Sequence, residues 1–291
     1  MALLTSVRRG RGDRLVAAVT AALTGRGVAC TPLPARDRAG AEARAREAVA
    51  GGVTAVAALG GDGCAHAALQ AVAGTPAALA VLPAGSGNDL AAALGVPADP
   101  VAAARAAAGD LLAGRRRVLD AGRTGDRWWA TVLCCGFDSA VTERANRLRW
   151  PRGPLRYDVA LLAELARLRP RAVGLTVDGD ARELAVTLVA VANTPRYGGG
   201  LRIAPGADPA DGLLDVVVVG PVGRRELVRT RPRLATGTHV DHPAVTVLRG
   251  REVTLRGAGL VTYADGEPVA ALPAVSLCLP GALTVVGAAR R

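Results

Sequence analysis

Lysine is absent: all 36 basic residues of this chain are arginine. That excludes a Walker A phosphate loop, whose lysine must reach the phosphates. Aromatic residues make up only 2% of the 291 positions, so Leu, Val and Ala have to build any core. The same scarcity argues against nucleic acid as a partner, because nothing between the arginines offers bases a stacking surface. The five cysteines, Cys30, Cys64, Cys134, Cys135 and Cys278, show no C-x-x-C spacing. An odd, widely spread set implies reduced thiols in the cytoplasm. No apolar run approaches about 18 residues without a charge or a break, so no membrane-crossing helix is expected. The first 14 residues are too poor in apolar length for a signal peptide.

What is present points to a globular enzyme-sized chain. Half of the residues are hydrophobic, which suits one large or two ordinary domains with real cores. The net charge is +11. Part of it follows from the general Arg, Ala and Gly bias, and the remainder favours anionic partners such as lipid headgroups or nucleotides.

The organising stretch is Val53 to Asp89. An apolar run, Val53 to Leu59, ends in Gly60-Gly61-Asp62-Gly63, and a helix-compatible run follows. A second apolar run, Ala77 to Leu82, ends in Pro83-Ala84-Gly85-Ser86-Gly87-Asn88-Asp89. Two strand-loop-helix units therefore stand side by side, each with a glycine-rich loop where open α/β sheets bind ligands. Such loops favour phosphate: glycine lets the backbone approach an anion, and the next helix adds the positive end of its dipole. A dinucleotide fingerprint does not fit, since Gly85-Ser86-Gly87 has no third glycine after it.

These two loops together resemble the catalytic domain of the diacylglycerol kinase family, which includes soluble bacterial lipid kinases and the sphingosine and ceramide kinases. The resemblance implies an α/β protein. It has an N-terminal doubly wound parallel-sheet domain of Rossmann-like, NAD kinase/diacylglycerol kinase type over residues 1–120. A C-terminal antiparallel β-sandwich domain follows over 121–291, whose extreme end packs back on the first. It implies ATP held by Gly60, Gly61, Asp62, Gly63, Gly85, Ser86, Gly87, Asn88 and Asp89. It places Asp62, Asp120 and Asp265 around a catalytic Mg²⁺. Where the family has an Asn-Pro-x-Ser-Gly-like loop, this chain has Thr5-Ser6-Val7-Arg8-Arg9-Gly10-Arg11-Gly12, and Ala92 stands where Arg is common.

Further on, Arg115 to Asp120 reads as a strand ending in a carboxylate and Arg127 to Cys134 as another. Pro154 to Leu168 reads as an amphipathic helix. Its apolar residues Leu155, Val159, Leu162, Leu165 and Ala166 recur at helical spacing, which core packing explains. Short alternating runs, Ala172 to Val177 and Glu183 to Ala192, suggest antiparallel strands. Asn193 to Asp215 resembles the family's Asn, Tyr-Gly-Gly-Gly-like and Asp-Gly elements. That resemblance implies a structural Mg²⁺ at Asp211, with Asp208 and Leu213 near it, while a metal-free hairpin turn accounts for the same residues. Val222 to Leu234 carries five arginines and offers a face for anionic lipid or simply a solvated one. His239 and His242 lack the company a zinc site needs.

Asp265-Gly266 reads as a tight turn between strands, followed by Glu267. The resemblance makes Glu267 the general base and Asp265 its catalytic partner in the metal network. The implied reaction is phosphoryl transfer from ATP to a lipid hydroxyl, reached by a cytoplasmic enzyme peripheral at the inner membrane surface. An NAD kinase and a non-catalytic nucleotide- or lipid-binding protein are the alternatives. The sequence does not identify the lipid, and a homodimer stays open.

Overall fold

A computed structural model describes residues 1–6, 11–35, 37–151 and 155–289. The chain divides into two compact units, Met1–Ala121 with Pro280–Arg291, and Gly122–Leu279.

The first unit alternates strand and helix: β1 Ala2–Thr5, α1 Arg11–Thr24, β2 Thr31–Pro34, α2 Arg38–Ala50, β3 Ala55–Gly60, α3 Asp62–Val72, β4 Ala78–Pro83, α4 Asp89–Leu94 and α5 Pro100–Leu112. The strands pair in parallel in the order β2-β1-β3-β4. β3 and β4 are buried along their whole length, as expected of parallel strands covered on both faces. With few aromatics available, the core is built from Leu3, Leu59, Leu82, Val19 and a set of alanines on α5. Helix ends follow local chemistry. Asp37 caps α2 through the Gly40 amide, and Asp99 caps α5 through Ala102, with Pro100 at the first helical position. The Glu42–Arg46 pair spans 3.2 Å on α2.

β5 Arg117–Thr124 leads into the second unit. There follow β6 Arg127–Trp129, β7 Val132–Gly136, α6 Phe137–Arg147, α7 Leu155–Ala166, β8 Arg171–Val177, β9 Asp180–Val186, β10 Leu188–Ala192, β11 Leu214–Val219, α8 Arg224–Thr230, α9 Arg233–Thr236, β12 Val245–Gly250, β13 Glu252–Arg256, β14 Val261–Ala264 and β15 Glu267–Ala271. The last strand, β16 Ala274–Val286, pairs antiparallel with β13 at its start, and its Val285 and Val286 pair in parallel with β4. Within the second unit one antiparallel sheet runs β12-β11-β10-β7-β14-β15, and β13, β8 and β9 belong to the other.

Alternation along the central strands builds two cores at once. Leu133, Cys135, Val189, Val191, Val216 and Val218 point into the space between the sheets. Their neighbours Val132, Cys134, Leu188, Ala190, Val217 and Val219 point to the other face, against Phe137, Leu161 and Leu165 of α6 and α7. The β-sandwich thus carries a helical layer on one side.

Several local expectations need correction. Arg127 to Cys134 is two strands, broken at Ala130 and Thr131, and Glu183 to Ala192 is broken at Thr187. α6 was not foreseen at all. Asp120 lies inside β5 rather than at its end. On α7, Leu155, Val159 and Leu162 are 62%, 43% and 66% exposed, so core packing does not account for them.

Candidate functional site

In the first unit the two glycine loops leave the sheet side by side, because Gly60 and Pro83 are register partners on β3 and β4. Gly61 is the N-cap of α3, so Gly60-Gly61-Asp62-Gly63 spans the strand end and the first helical turn. The first amides of a helix have no partner within it and sit at the positive end of its dipole. The loops touch backbone to backbone: a Cβ on Gly85 would fall onto the Gly61 Cα, and one on Gly61 would lie 3.2 Å from the Gly85 Cα. Neither neighbour is a flexible side-chain tip, so Gly85 has no room for a Cβ and Gly61 has little. A Cβ on Gly87 would meet the Asp62 carboxylate.

That carboxylate ties the loops together. Its Oδ2 accepts the Asn88 amide at 2.8 Å and its Oδ1 accepts the Asp89 amide at 2.7 Å. Asn88 adopts the left-handed conformation, with φ of 59°, which Asn tolerates better than most residues. Its side chain makes a reciprocal pair with Gly85, accepting from N at 3.1 Å and donating to O at 2.8 Å. Ser86 and Gly87 stand exposed at the tip. The result is a braced double loop whose shape suits an anion. The basic turn that precedes it falls largely on residues 7–10, outside the described residues. Cys64, behind the first loop, is buried, and desolvation pushes its thiol up to about 11, which keeps it a neutral packing group.

Asp120 is 4% exposed and accepts the Gly281 amide at 2.9 Å. It braces the returning end of the chain within the same unit.

In the second unit, Asp265 and Gly266 have φ of 52° and 83°, the pair of positive values that a two-residue I′ hairpin turn demands. The Asp265 carboxylate accepts the Ala130 amide at 3.4 Å and the Thr131 amide at 3.2 Å, and also the Thr131 hydroxyl. Asn193 grips the same two residues from the other side. Its Nδ2 donates to the Ala130 carbonyl at 2.9 Å, and its backbone N–H donates to Thr131 O at 2.8 Å. Asn146 Nδ2 donates to the Gly266 carbonyl at 3.1 Å. The break between β6 and β7 is therefore a platform that joins the Asn193 segment to the acidic hairpin. Glu267, first residue of β15, is part-buried and rides directly on this clamped turn.

A cavity of about 130 Å³ lies among α6, α7, α8, α9 and the outer face of β10, β11 and β12, walled by Leu161, Leu165, Leu188, Ile203, Val219 and Leu234. Its wall is almost wholly apolar, and its size is near that of cavities that hold a benzene ring. The polar groups on it include Asp138 and Tyr197, whose hydroxyl donates to Asp138 Oδ2 at 2.5 Å. Desolvation pushes the Asp138 pKa up, and the Tyr197 hydrogen bond works against that. Sequence reasoning passed over this pair. His239, also on the wall, meets the Ile203 carbonyl at 3.0 Å through Nε2, and His242 faces Glu226 at 3.2 Å.

The donor sets decide how far metal ions fit. Among the described residues, no group of three His, Cys, Asp or Glu side chains converges to hold a metal ion. The carboxylates of Asp62, Asp120 and Asp265 each accept at least one backbone amide. At Asp211, Oδ1 accepts the Leu213 amide at 3.0 Å and Oδ2 pairs with the Arg249 guanidinium. Arg249 Nε also reaches Asp215 at 3.3 Å, and Asp208 accepts the Ala210 amide at 3.1 Å. A cation from the chain itself already answers the charge on Asp211, so these donors do not fit a divalent ion.

Comparison with known proteins now adds the lineage. Residues 6–124 match the model of the diacylglycerol kinase catalytic domain, and residues 131–287 match that of the YegS C-terminal NAD kinase beta sandwich-like domain. The chain is 40% identical to a protein named diacylglycerol kinase from Mycobacterium tuberculosis strain H37Rv, over 97% of this chain and 93% of that one. The chain belongs to the diacylglycerol kinase family. A Pseudomonas fluorescens protein named "Probable lipid kinase YegS-like" is 33% identical over 82% of this chain and 79% of its own length. A crystal structure of a diacylglycerol kinase from Bacillus anthracis superposes with a TM-score of 0.73 at 17% identity, over 98% of this chain and 96% of that one, which shows the shared fold. The same family fold extends more distantly to an NAD kinase from Archaeoglobus fulgidus, at a TM-score of 0.55 and 12% identity over 98% and 92% of the two chains. This family member is a lipid kinase, and ATP is the co-substrate the family implies. Among the described residues no helix is long and apolar enough to cross a membrane.

Proposed function

We propose that this kinase transfers the γ-phosphoryl group of Mg-ATP to the hydroxyl of a diacylglycerol-like lipid. The observation that carries a lipid acceptor is the apolar cavity of the second unit. A soluble, charged acceptor would waste such a wall, whereas the end of an acyl chain gains from it. Asp138 and Tyr197 give the cavity one polar edge for the oxygen-bearing end of the lipid.

The braced glycine loops bind the triphosphate through backbone amides and the N-terminus of α3, with Gly60, Gly61, Asp62, Gly63, Gly85, Ser86, Gly87, Asn88 and Asp89 as the lining. Asp62, Asp120 and Asp265 are the residues the family resemblance assigns to a Mg²⁺ accompanying the nucleotide, and the ion would offset charge on the phosphates. Glu267 takes the proton of the lipid hydroxyl as its oxygen bonds to the γ-phosphorus and the bond to the ADP oxygen breaks. Asp265 holds the turn that aims Glu267. In this reading the hydrogen bonds of Asp62, Asp120 and Asp265 also fix backbone, so phosphoryl transfer depends on positioning and electrostatics.

The test is phosphorylation by the purified full chain with radiolabelled Mg-ATP. Diacylglycerol, a sphingoid base, a ceramide, a polyprenol and NAD are offered separately. Label in diacylglycerol supports the reading; label in NAD alone replaces it with the soluble-nucleotide reaction.

A further inference from the structure

Helix α7 presents two apolar stripes. Leu161 and Leu165, with Leu168 just past its end, pack inward on the core below. Leu155, Val159 and Leu162, spaced four and three residues apart, face outward and are exposed. They cover about 10 Å of helix, at 1.5 Å per residue. Beside them α8 exposes Val228, at 53%. The two helices are tied where Arg224 Nη2 donates to the Ala166 carbonyl at 2.5 Å. A shallow depression joins them, lined by Leu162, Leu165, Ala166, Val228 and the arginines Arg224, Arg225 and Arg229.

We propose that this α7–α8 face docks on an anionic bilayer surface. Resting on the lipid kinase reading above, it names the surface from which the acceptor is drawn. Three observations choose that occupant. First, an exposed apolar stripe bordered by arginines matches an interface that is greasy below and negatively charged above. Second, the nearby acids are few. Glu226 is engaged by the Gly223 amide and His242, Glu164 by Arg144, and Asp158 stands exposed on α7. Third, Leu165 and Val228 line both the depression and the apolar cavity. The docking face is thus the outer side of the cavity wall, where a lipid tail leaving the bilayer has the shortest path.

The experiment is flotation of the full chain with vesicles of phosphatidylcholine alone or mixed with phosphatidylglycerol, without ATP or acceptor lipid. The variants are Leu155→Gln/Leu162→Gln and Arg225→Gln/Arg229→Gln, all at exposed positions away from the cavity wall. The wild type is expected to float with the mixed vesicles. Each arginine near an anionic surface contributes about fivefold, so the arginine pair should lose roughly twenty-five-fold on mixed vesicles and little on phosphatidylcholine. The leucine pair should lose about tenfold or more on both. Each variant should phosphorylate short-chain, monomeric diacylglycerol as the wild type does. Vesicle binding unchanged in both variants overturns the proposal. So does a leucine variant that turns a dimer into a monomer without altering flotation, since the face would then seat a second copy. Wild-type flotation without any lipid phosphorylation would remove the kinase reading and leave the docking face standing.

Discussion

The Asp62 carboxylate receives the backbone N–H of Asp89 at 2.7 Å, across 27 residues of sequence. With the parallel bond to Asn88, it makes one acidic side chain the brace of both glycine loops. A hydrogen bond to a charged group contributes about 1.5–3 kcal/mol. Asp62→Ala should therefore cost roughly 2–4 kcal/mol in chemical denaturation, discounted from the sum of two because the site is part-exposed. Nucleotide affinity should fall with it, since the loops lose their common anchor. An Asp62→Ala protein as stable as the wild type would show that the loops are held by something else.

Gly85→Ala tests the loop contact separately. The added methyl would press on the Gly61 backbone, which cannot rotate away. The loops must part, and ATP binding by calorimetry should weaken about tenfold or more, the scale of 1.4 kcal/mol. Leu3, Leu59 and Leu82 stay buried in the core beneath the loops, so the far-ultraviolet spectrum should be unchanged. Unaltered ATP affinity would take the loops out of the nucleotide site.

Much of the first unit was legible because its signals are local. Apolar runs end at glycines, and Asp99-Pro100 announces a helix start. The contact between Gly61 and Gly85 was not legible, because it depends on the register of β3 and β4. In the second unit, α6 was missed although Phe137, Val141 and Ala145 recur at helical spacing. Its opening Gly136 and Ser139 bond reciprocally at 3.0 Å, in place of the usual Ser, Thr or Asp cap. α7 misled for the opposite reason: it is apolar on two sides, and a helical period alone cannot say which side the core takes. The motifs around Asn193 and Asp265 could be read as a family likeness. That both grip Ala130 and Thr131 is a fact of tertiary structure only.

Glu267→Gln keeps the shape of the side chain and removes the base. Turnover on diacylglycerol should fall at least about a hundredfold, the low end for a lost general base, while ATP affinity stays near that of the wild type. Thr131→Val should lower turnover less, by loosening the turn that Asp265 holds. Near-normal turnover in Glu267→Gln would remove it from the proposed mechanism.

Asp138 gives a pH dependence of definite sign. Burial raises its folded pKa above the ordinary 3.8, so the folded protein holds this proton more tightly than the unfolded chain. The associated stability is present below about pH 3.8 and is lost as pH rises through the folded pKa. Asp138→Asn cannot ionise and keeps a carbonyl oxygen for the Tyr197 hydroxyl. It should be the more stable protein at neutral pH, with the gap over the wild type closing toward pH 4 in denaturant titrations. A gap that widens in acid would mean that the carboxylate is favoured in the fold.

Arg249 answers whether this chain needs a structural ion. Its guanidinium touches Asp211 and Asp215; Asp215 is 4% exposed. Burial raises the Asp215 pKa, and the attraction of Arg249 opposes it; the same attraction raises the pKa of Arg249. Removing the arginine leaves a buried carboxylate without its counter-charge, which is the costly way to break a pair. Arg249 is itself half exposed, so solvent recovers part of the loss, and Arg249→Met should cost about 1–2 kcal/mol. If the guanidinium stands in for a divalent ion, the melting temperature of the wild type should be indifferent to Mg²⁺ or EDTA. Arg249→Met should then regain stability when millimolar Mg²⁺ is added, because Asp211 has an oxygen released for it. A wild-type protein that melts earlier in EDTA would instead show that an ion displaces Arg249 in solution.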